Sequence, residues 1–275
     1  MNISAWNIAQ LPWLYNGTPD PPGRLSRLCD EVVAHSYEID VLCFEELFSS
    51  TARETVRKRL SHLYPHMYLD DSIGKFLVGV NSGLGIISKY PLAEQSLYTY
   101  KEYKNIEYFA KKGVLGVRTS VPSPLASRLS AIYIFCTHMQ TGGHPPILSW
   151  LNTTDAGIIK LHQLREAATH IHSLVNDPNA LVVLCGDLNM DATEIPAGLQ
   201  ELRKVFPSAR DSYDLASTPV TYSVEDQHKR IDYFIVLSCP PDVNVKSVLG
   251  KFGALNTMSD HLPASMTVSP YVSLI

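Results

Sequence analysis

The chain has 275 residues, of which 45% are hydrophobic and 18% charged, and these are ordinary values for a globular protein. Its 23 basic and 27 acidic residues give a formal net charge of −4, which excludes a broad basic surface for nucleic acid but not a local basic groove. No apolar segment approaches the ~18 residues that span a bilayer, and the cysteines show no zinc or disulfide spacing.

The first part of the chain alternates predicted strands and helices. In chain order we predict a strand over 2–8, a loop over 9–22, a helix over 24–36, a strand over 41–44, a helix over 51–63 and a strand over 82–88. The first helix is predicted because its apolar residues recur at i, i+3, i+4, i+7 and i+8.

The second part continues the mixture without a linker or an internal repeat. We predict a tyrosine-rich loop over 98–109, strands over 113–121 and 129–137, a loop over 140–155, a helix over 158–175, a strand over 181–185, a helix over 195–205, and strands over 231–237 and 264–268. This pattern indicates one domain with a large β core and outer helices.

The stretch VVLCGDLNMD, from Val182 to Asp191, carries a clear chemical signal. Its apolar residues predict a buried strand that Gly186 ends. If the extended backbone continued, Asp187 and Asn189 would point the same way, because strand side chains alternate with a period of two. They would then suit a hard cation and a phosphate. An Asx turn that only closes the strand explains the same residues, so both interpretations stay open.

Six predicted strand ends carry polar residues that suit phosphoryl chemistry. They are Asn7, Glu46, His138, Asp187 with Asn189, Asp232, and Asp260 with His261. Each has an ordinary structural explanation: His138 could be a hydrogen-bonded core histidine, and Asp232 could pair with Arg230. Polar groups at successive strand ends of one sheet system meet on one rim, however, so the whole set favours a functional site.

Six short motifs hold these residues, in an order that is typical of one superfamily. The motifs are Trp6-Asn7, Glu45-Glu46, Thr137-His138, Gly186-Asp187-Leu188-Asn189, Ile231-Asp232-Tyr233 and Ser259-Asp260-His261. Over almost the whole chain they resemble the endonuclease/exonuclease/phosphatase superfamily, the DNase I-like, magnesium-dependent phosphoesterases. The resemblance implies an α+β fold, a four-layer α/β/β/α sandwich with two packed mixed β-sheets flanked by helices. It also implies a single domain over residues 1–275.

Within that superfamily the chain looks most like neutral sphingomyelinases of bacterial type. The similar segments are Val41 to Phe48, Asn81 to Leu92, Lys112-Gly113 and Thr137 to Gln140. Where those enzymes place Gln or Asn before the metal-binding glutamate this chain has Glu45, so we assign the ligand position to Glu46. Their secreted members carry a long aromatic hairpin before the last motif. Residues 242–258 hold only Phe252 there, which puts membrane contact by that route in doubt.

The resemblance implies hydrolysis of a phosphodiester with one or two Mg²⁺ ions, which Mn²⁺ or Co²⁺ could replace. Mapped onto this chain, the metal ligands are Asn7, Glu46 and Asp260, and the catalytic residues are His138, Asp187, Asn189, Asp232 and His261. As a hypothesis for their roles, His261 is the general base, Asp232 orients its ring, and Asp187 aligns the water or assists at the metal. Asn189 would donate to a phosphoryl oxygen, and His138 would stabilise charge in the transition state.

The expected partner is a phospholipid, sphingomyelin, at a membrane surface. Apolar side chains over 11–15 and 145–151, with Trp150 as a substrate contact, could enter the interface or fold back onto the body. Tyrosines over 98–108 could bind choline or belong to the core. We expect a monomer without a stable nucleic-acid partner. The N-terminus lacks signal-peptide features, which favours a cytoplasmic or peripheral membrane location, and secretion stays open because a removed signal peptide would leave the same start.

Three alternatives compete with this interpretation. A nuclease of the same fold is disfavoured by the acidic charge and by Thr137 to Gln140, where repair members have a Y-x-P-x-G motif. An inositol-phosphate or phosphoinositide phosphatase usually has P-x-W-x-D-R where this chain has His228-Lys229-Arg230. An inactive binding module is disfavoured because no expected polar position is apolar.

Overall fold

Two six-stranded mixed β-sheets pack face to face, and helices cover their outer faces. The computed structural model describes residues 1–10, 23–73, 80–142, 155–213, 220–224, 227–250, 252–253 and 258–271. The strands are β1 (Asn2–Asn7), β2 (Val41–Glu45), β3 (His66–Leu69), β4 (Gly85–Ser88), β5 (Leu92–Thr99), β6 (Gly113–Thr119), β7 (Ile132–His138), β8 (Leu181–Asp187), β9 (Arg210–Asp211), β10 (Tyr222–Val224), β11 (Gln227–Lys229), β12 (Asp232–Ser238), β13 (Val243–Leu249) and β14 (Ala264–Pro270). The helices are α1 (Arg24–Ala34), α2 (Ser50–Leu60), α3 (Ala156–Leu174) and α4 (Ile195–Arg203).

The strand order places one parallel pair near the middle of each sheet. The first sheet runs β13-β14-β1-β2-β4-β3, and the second runs β5-β6-β7-β8-β12-β9. β1 pairs with β2 in parallel, as β7 does with β8, and the other described pairs of these sheets are antiparallel. The carboxyl ends of the strands in both parallel pairs can therefore contribute residues to one site.

Buried apolar clusters define the four layers. Between the sheets, Ile3 and Val41 of the first pack in one cluster with Ile134 and Val183 of the second. A second cluster joins the outer face of the second sheet to α3 and α4, and a third joins the first sheet to α1 and α2. The predicted α/β/β/α sandwich is therefore confirmed.

The central strands and the helices agree with the sequence predictions, with small shifts at their ends. Ser49 caps α2, since its Oγ accepts from the Ala52 N–H at 3.0 Å. The strand predicted to stop before Gly186 instead continues to Asp187. The edge strands β3, β5 and β13 were not predicted, and the predicted tyrosine-rich loop overlaps the end of β5 and a 3₁₀ helix over Asn105–Phe109.

The segment before the last motif forms an edge strand and then enters the core. β13 pairs along β14, and Phe252 is 2% exposed. The Phe252 ring meets that of Trp6 edge to face, with centroids 5.5 Å apart. The aromatic residue of this segment therefore packs inward. Among the described residues, no helix has the length and hydropathy to cross a membrane.

Candidate active site

The predicted site residues meet where the two parallel strand pairs end. Asn7 and Glu45 are register partners at the ends of β1 and β2, and His138 and Asp187 are partners at the ends of β7 and β8. Asp232 begins β12 directly opposite Asp187. Because the sheets pack face to face, these strand ends form one rim, as the sequence predicted.

A cavity of about 790 Å³ opens at this rim. The predicted residues that line it are Glu46, Asp187, Asn189, Asp260 and His261. Asn7, His138 and Asp232 stand behind them, and each contacts a lining residue. Trp150, the predicted substrate contact, lies outside the described residues, as do most of the two apolar loops.

Asn7 joins two of the carboxylates. Its Nδ2 donates to Glu46 Oε1 at 3.1 Å and to Asp187 Oδ2 at 3.2 Å. Its Oδ1 accepts from the N–H of Ala9 at 3.0 Å. In this orientation, which the hydrogen bonds assign, the side chain presents N–H groups to the carboxylates. Ligation of a metal by its oxygen would need the opposite orientation and stays a prediction.

The two adjacent glutamates at the end of β2, Glu45 and Glu46, lie in different environments. Glu45 faces the other sheet and is fully buried, with its Oε1 3.2 Å from the Sγ of Cys136. Glu46 has a φ of 60°, a left-handed conformation that side-chain-bearing residues seldom adopt. This turn brings Glu46 into the cavity lining. The geometry therefore favours Glu46 over Glu45 as a group that could bind a cation in the cavity.

Asp187 forms both the Asx turn and part of the site. Its Oδ1 accepts from the backbone N–H of Asn189 at 2.8 Å, while its Oδ2 faces Asn7. Asn189 has a φ of 51°, so the extended backbone does not persist, and its Nδ2 donates to the carbonyl of Met139 at 3.1 Å. The condition on which the two side chains would point the same way is therefore not met, and the Asx turn that was left open is present. Gly186, with a φ of 118°, makes the close approach possible, since a Cβ there would lie 2.2 Å from the carbonyl oxygen of Thr137.

His261 and Asp232 form a buried pair. The Nδ1 of His261 lies 2.9 Å from Asp232 Oδ2, and its Nε2 lies 3.8 Å from Asp187 Oδ2. Arg230, the alternative partner for Asp232, instead donates to Asp211 at 2.7 Å. The ordinary explanation of Asp232 as an arginine partner is therefore wrong.

Backbone contacts fix the position of the last motif. The indole N–H of Trp6 donates to the carbonyl of His261 at 3.0 Å, and the hydroxyl of Ser259 donates to the carbonyl of Asn7 at 2.6 Å. The N–H of His261 in turn donates to Ser259 Oγ at 3.1 Å. The end of β1 therefore positions the histidine although the two lie far apart in sequence.

The site carries more negative charge than its own cations balance. Burial and the charge of Asp232 raise the pKa of Asp187 to about 7. Burial also raises the pKa of Glu46, an effect that Asp260 reinforces. Burial alone would lower the pKa of His261, but Asp232, Asp187 and Asp260 outweigh it and raise that pKa to about 10. Asp187, Asp232 and His261 also offer ligand atoms within 4.8 Å of one another, a grouping that could hold a metal ion.

Lys112 is a buried cation at the site. From the sequence it was named only as part of the Lys112-Gly113 motif, and no contact was predicted for it. Its Nζ donates to Glu107 Oε1 at 2.6 Å and to the Met139 carbonyl at 2.7 Å, and it lies 3.0 Å from His138 Nε2. An ammonium group can only donate, so this nitrogen of His138 accepts. His138 Nε2 also lies 3.5 Å from Asp187 Oδ2. These contacts fit a neutral His138.

Two further residues near the cavity escaped the sequence analysis. Lys160 is buried on α3, and its Nζ donates to the Asn189 carbonyl at 2.7 Å and to Glu194 Oε1 at 2.5 Å. The sequence signal that could have revealed Lys160 is its place next to the buried apolar positions of this helix. Tyr222 lies on the unpredicted strand β10, with its ring 5.0 Å from that of His261. Tyr100, one of the tyrosines that could bind choline or belong to the core, is buried, and its hydroxyl forms a hydrogen bond with that of Thr137.

Comparison with known proteins agrees with this geometry. The sequence profile of the Endonuclease/Exonuclease/phosphatase family matches residues 4–261. The match includes the whole rim, from the first strand to the Asp260-His261 motif.

Curated relatives are similar at low identity. Sphingomyelin phosphodiesterase 3 of Rattus norvegicus is 25% identical over 185 residues, which cover 63% of this chain and 27% of that protein. Sphingomyelinase C of Leptospira interrogans is 26% identical over 166 residues, which cover 55% of this chain and 27% of that one. The chain therefore corresponds to about a quarter of the length of these relatives.

Solved structures share the fold over nearly the whole chain. A beta toxin variant from Staphylococcus aureus with bound magnesium ions has a TM-score of 0.75 at 18% identity, covering 96% of this chain and 98% of that one. TDP2 from D. rerio, complexed with a single-strand DNA product, has a TM-score of 0.68 at 15% identity, covering 98% of both chains. At these identities the likeness supports the fold alone.

Proposed function

Since this chain belongs to the Endonuclease/Exonuclease/phosphatase family, we propose that it is a metal-dependent phosphodiesterase that hydrolyses sphingomyelin to ceramide and phosphocholine. The observation that carries the chemistry is the buried His261–Asp232 pair, 2.9 Å apart, beside Asp187 and Glu46 at one cavity. A histidine oriented by a carboxylate is a general base that can activate water.

The donors at the rim fit Mg²⁺. They are mostly carboxylate oxygens, which this hard cation prefers, and burial together with a neighbouring carboxylate raises the pKa of both Glu46 and Asp187. We assign Glu46 and Asn7 as ligands, with Asp260 on the same side, and leave one or two ions open. When bound, Mg²⁺ supplies charge neutralisation for the phosphoryl oxygens. Mn²⁺ or Co²⁺ could substitute.

His261 is assigned as the base at Nε2. Its Nδ1 faces a carboxylate oxygen of Asp232, so a proton is held there and the lone pair of a neutral ring lies on Nε2. Surrounding carboxylates raise its pKa to about 10, and a cation that compensated their charge would lower that pKa. We propose that His261 acts as the base in the metal-loaded protein, with Asp187 aligning the water.

Asn189 would donate to a phosphoryl oxygen, and His138, which stands behind the cavity lining with its Nε2 accepting from Lys112, would stabilise the transition-state charge from there. One N–H of the Asn189 amide is used by Met139, which leaves the second available to a substrate in the cavity. His138 lies between Lys112 and Asp187 and would place the positive charge of the lysine close to the transition state.

The choice of sphingomyelin rests on the curated relatives, both named for that substrate. The structure adds the ring of Tyr222 at the cavity, where an aromatic face could meet the quaternary ammonium of choline. We propose a phospholipid substrate at a membrane surface, no stable nucleic-acid partner and a monomeric chain. A nuclease is the second candidate because TDP2 from D. rerio, which shares the fold, is complexed with DNA.

One set of assays tests the proposal. Sphingomyelin vesicles, plasmid DNA and a phosphoinositide are each incubated with the chain, with Mg²⁺ or with EDTA. Release of phosphocholine only with Mg²⁺ supports the proposal, whereas metal-dependent nicking of DNA without lipid hydrolysis refutes it.

A variant tests the base. His261→Ala should lower kcat by ~10²–10⁴-fold, the usual contribution of general-base catalysis, while His62→Ala at an exposed position should change little. Retention of more than about a tenth of the activity in His261→Ala would show that another group is the base.

A further inference from the structure

Three thiols meet between the sheets, beneath the rim. Cys43 comes from β2 of the first sheet, while Cys136 and Cys185 are register partners on β7 and β8 of the second. All three are completely buried, and their Sγ atoms lie within 4.8 Å of one another. Because the three cysteines lie on strands of two different sheets, the sequence pattern of one strand cannot predict that they meet.

A carboxyl group completes the ring of donors. Glu45 follows Cys43 at the next position on the same face of β2, and its Oε1 accepts from the Cys136 thiol at 3.2 Å. Its Oε2 is buried and has no hydrogen-bond partner among the described residues. An unpaired buried carboxyl oxygen is unfavourable, so the cluster is incomplete without a further partner.

We propose that Cys43, Cys136 and Cys185, with Glu45 as the fourth donor, form a binding site for one thiophilic cation such as Zn²⁺. Sulfur-rich sites select soft metals, whereas the oxygen-rich rim selects hard ones, so the two sites would discriminate by ligand chemistry. A Zn–S bond is about 2.3 Å, which puts sulfurs on one tetrahedral ion about 3.8 Å apart. The trio would contract by about 1 Å at most.

Proton release accounts for the charge of the cluster. A divalent cation would displace the protons of all three thiols to solvent, because thiolates are the ligands, so one Zn²⁺ with three thiolates would carry a net charge of −1, and Glu45 would coordinate as a neutral carboxyl through its carbonyl oxygen. The bound cation would tie β2 to β7 and β8, and so join the two sheets below the catalytic rim.

Cadmium tests the site, because its thiolate complexes absorb in the ultraviolet and its complexes with oxygen do not. The full chain is unfolded in urea and refolded with Cd²⁺ and an excess of Mg²⁺, which occupies the hard site. We expect about one Cd²⁺ per chain, a sulfur-to-cadmium absorption band and a higher urea midpoint than with Mg²⁺ alone.

Matched variants locate the ion. Cys43→Ala should lose the band and the gain in midpoint, and Glu45→Gln should weaken cadmium retention. Cys29→Ala removes an equally buried thiol from the α1 side of the first sheet and should keep both. For the intact chain, the ¹¹³Cd NMR shift counts the sulfur donors and needs no variant to fold. Absence of the band in the refolded chain, a shift typical of oxygen ligands, or loss of the band in Cys29→Ala instead of Cys43→Ala would overturn the proposal.

Discussion

The two parallel strand pairs reach the same rim but deliver different groups to it. β1 and β2 supply Asn7 and, one residue beyond the strand, Glu46, whose side chain is 13% exposed in a left-handed turn. β7 and β8 supply His138 and Asp187 from within the strands, with side chains only 2% and 3% exposed. We call the β1–β2 part, with the more exposed Glu46, the open half of the rim, and the β7–β8 part, whose two side chains are nearly buried although Asp187 also lines the cavity, the buried half.

The groups behind each half differ in the same way. In the first half, Glu46 accepts from the neutral amide of Asn7, whereas the second half lies next to the Lys112 ammonium and the His261–Asp232 pair. An open carboxylate suits an exchangeable cation, and buried titratable groups with shifted pKa values suit proton transfer. On the proposed function, the open half would bind the metal and the buried half would transfer protons.

The largest effect should come from the buried half. Asp187→Asn keeps the shape and the Asx turn but removes a charge close to both His138 and His261, so we expect kcat to fall about 10³-fold, within the range of acid–base contributions. Because the proton-transfer half is damaged, added Mg²⁺ should not restore the rate. Steady-state kinetics at rising Mg²⁺ measure this.

Asp242→Asn is the control for that variant, since this exposed aspartate contacts Arg128 far from the rim. Its activity should equal that of the unchanged chain. Full recovery of Asp187→Asn by Mg²⁺ would move Asp187 to the metal-binding half and erase the difference between the halves.

Substitution in the open half should lower activity in a way that depends on the Mg²⁺ concentration. Glu46→Gln should lower activity about 10²-fold at low Mg²⁺ and regain part of it at high Mg²⁺, because the change weakens cation binding more than chemistry. Glu45→Gln alters the adjacent but inward-facing glutamate and should leave the Mg²⁺ dependence unchanged. If Glu45→Gln shifts the Mg²⁺ requirement and Glu46→Gln does not, the two glutamates have been assigned the wrong way round.

The sequence predicted the open half and the central strands because their signals are local. Strands covered on both faces are continuous apolar runs, as in β7 and β8. The missed strands β3, β5 and β13 lie at sheet edges, where one side lacks a neighbour and the apolar pattern is weak. β5 also has polar residues in its centre and a register shift between Ala93 and Ser96. Edge strands therefore depend on their partner for their structure.

The support for the buried half was hidden for a different reason. Lys112 and His138 are distant in sequence, and only the pairing of β6 with β7 brings their atoms to 3.0 Å. The side-chain direction of Asn189 could not be read from the sequence, because its left-handed φ interrupts the alternation expected of a strand. Motifs therefore identified which residues matter, and the fold determined which of their atoms meet.

Removal of Lys112 should damage both activity and stability. Lys112→Met leaves the Glu107 carboxylate without its buried cation, which should cost about 3 kcal/mol of unfolding free energy. Activity should fall about 10–100-fold, as for supporting residues of metal sites. Urea denaturation and kinetics measure the two effects, with exposed Lys101→Met as the control. A loss of stability with normal kcat would make Lys112 a structural residue and leave the buried half without its cation.

The smallest functional effect should arise at α3, which supports the turn of the buried half from outside. Lys160 donates to the Asn189 carbonyl and to Glu194, so Lys160→Met should loosen the turn and lower kcat about 10-fold, because small displacements of catalytic groups reduce rate. Asp187 itself is untouched by this change. The loss should therefore appear in kcat while the Mg²⁺ dependence stays that of the unchanged chain.

Arg165 on the same helix provides the matched control. Its side chain is 53% exposed and contacts Glu201 at 3.0 Å, so Arg165→Ala should change unfolding free energy by less than about 1 kcal/mol and leave kcat unaltered. Equal losses of kcat in the two variants would mean that α3 acts through its general stability. A loss confined to Lys160→Met would show that the buried half needs its turn held in place, whereas the open half depends only on the supply of the cation.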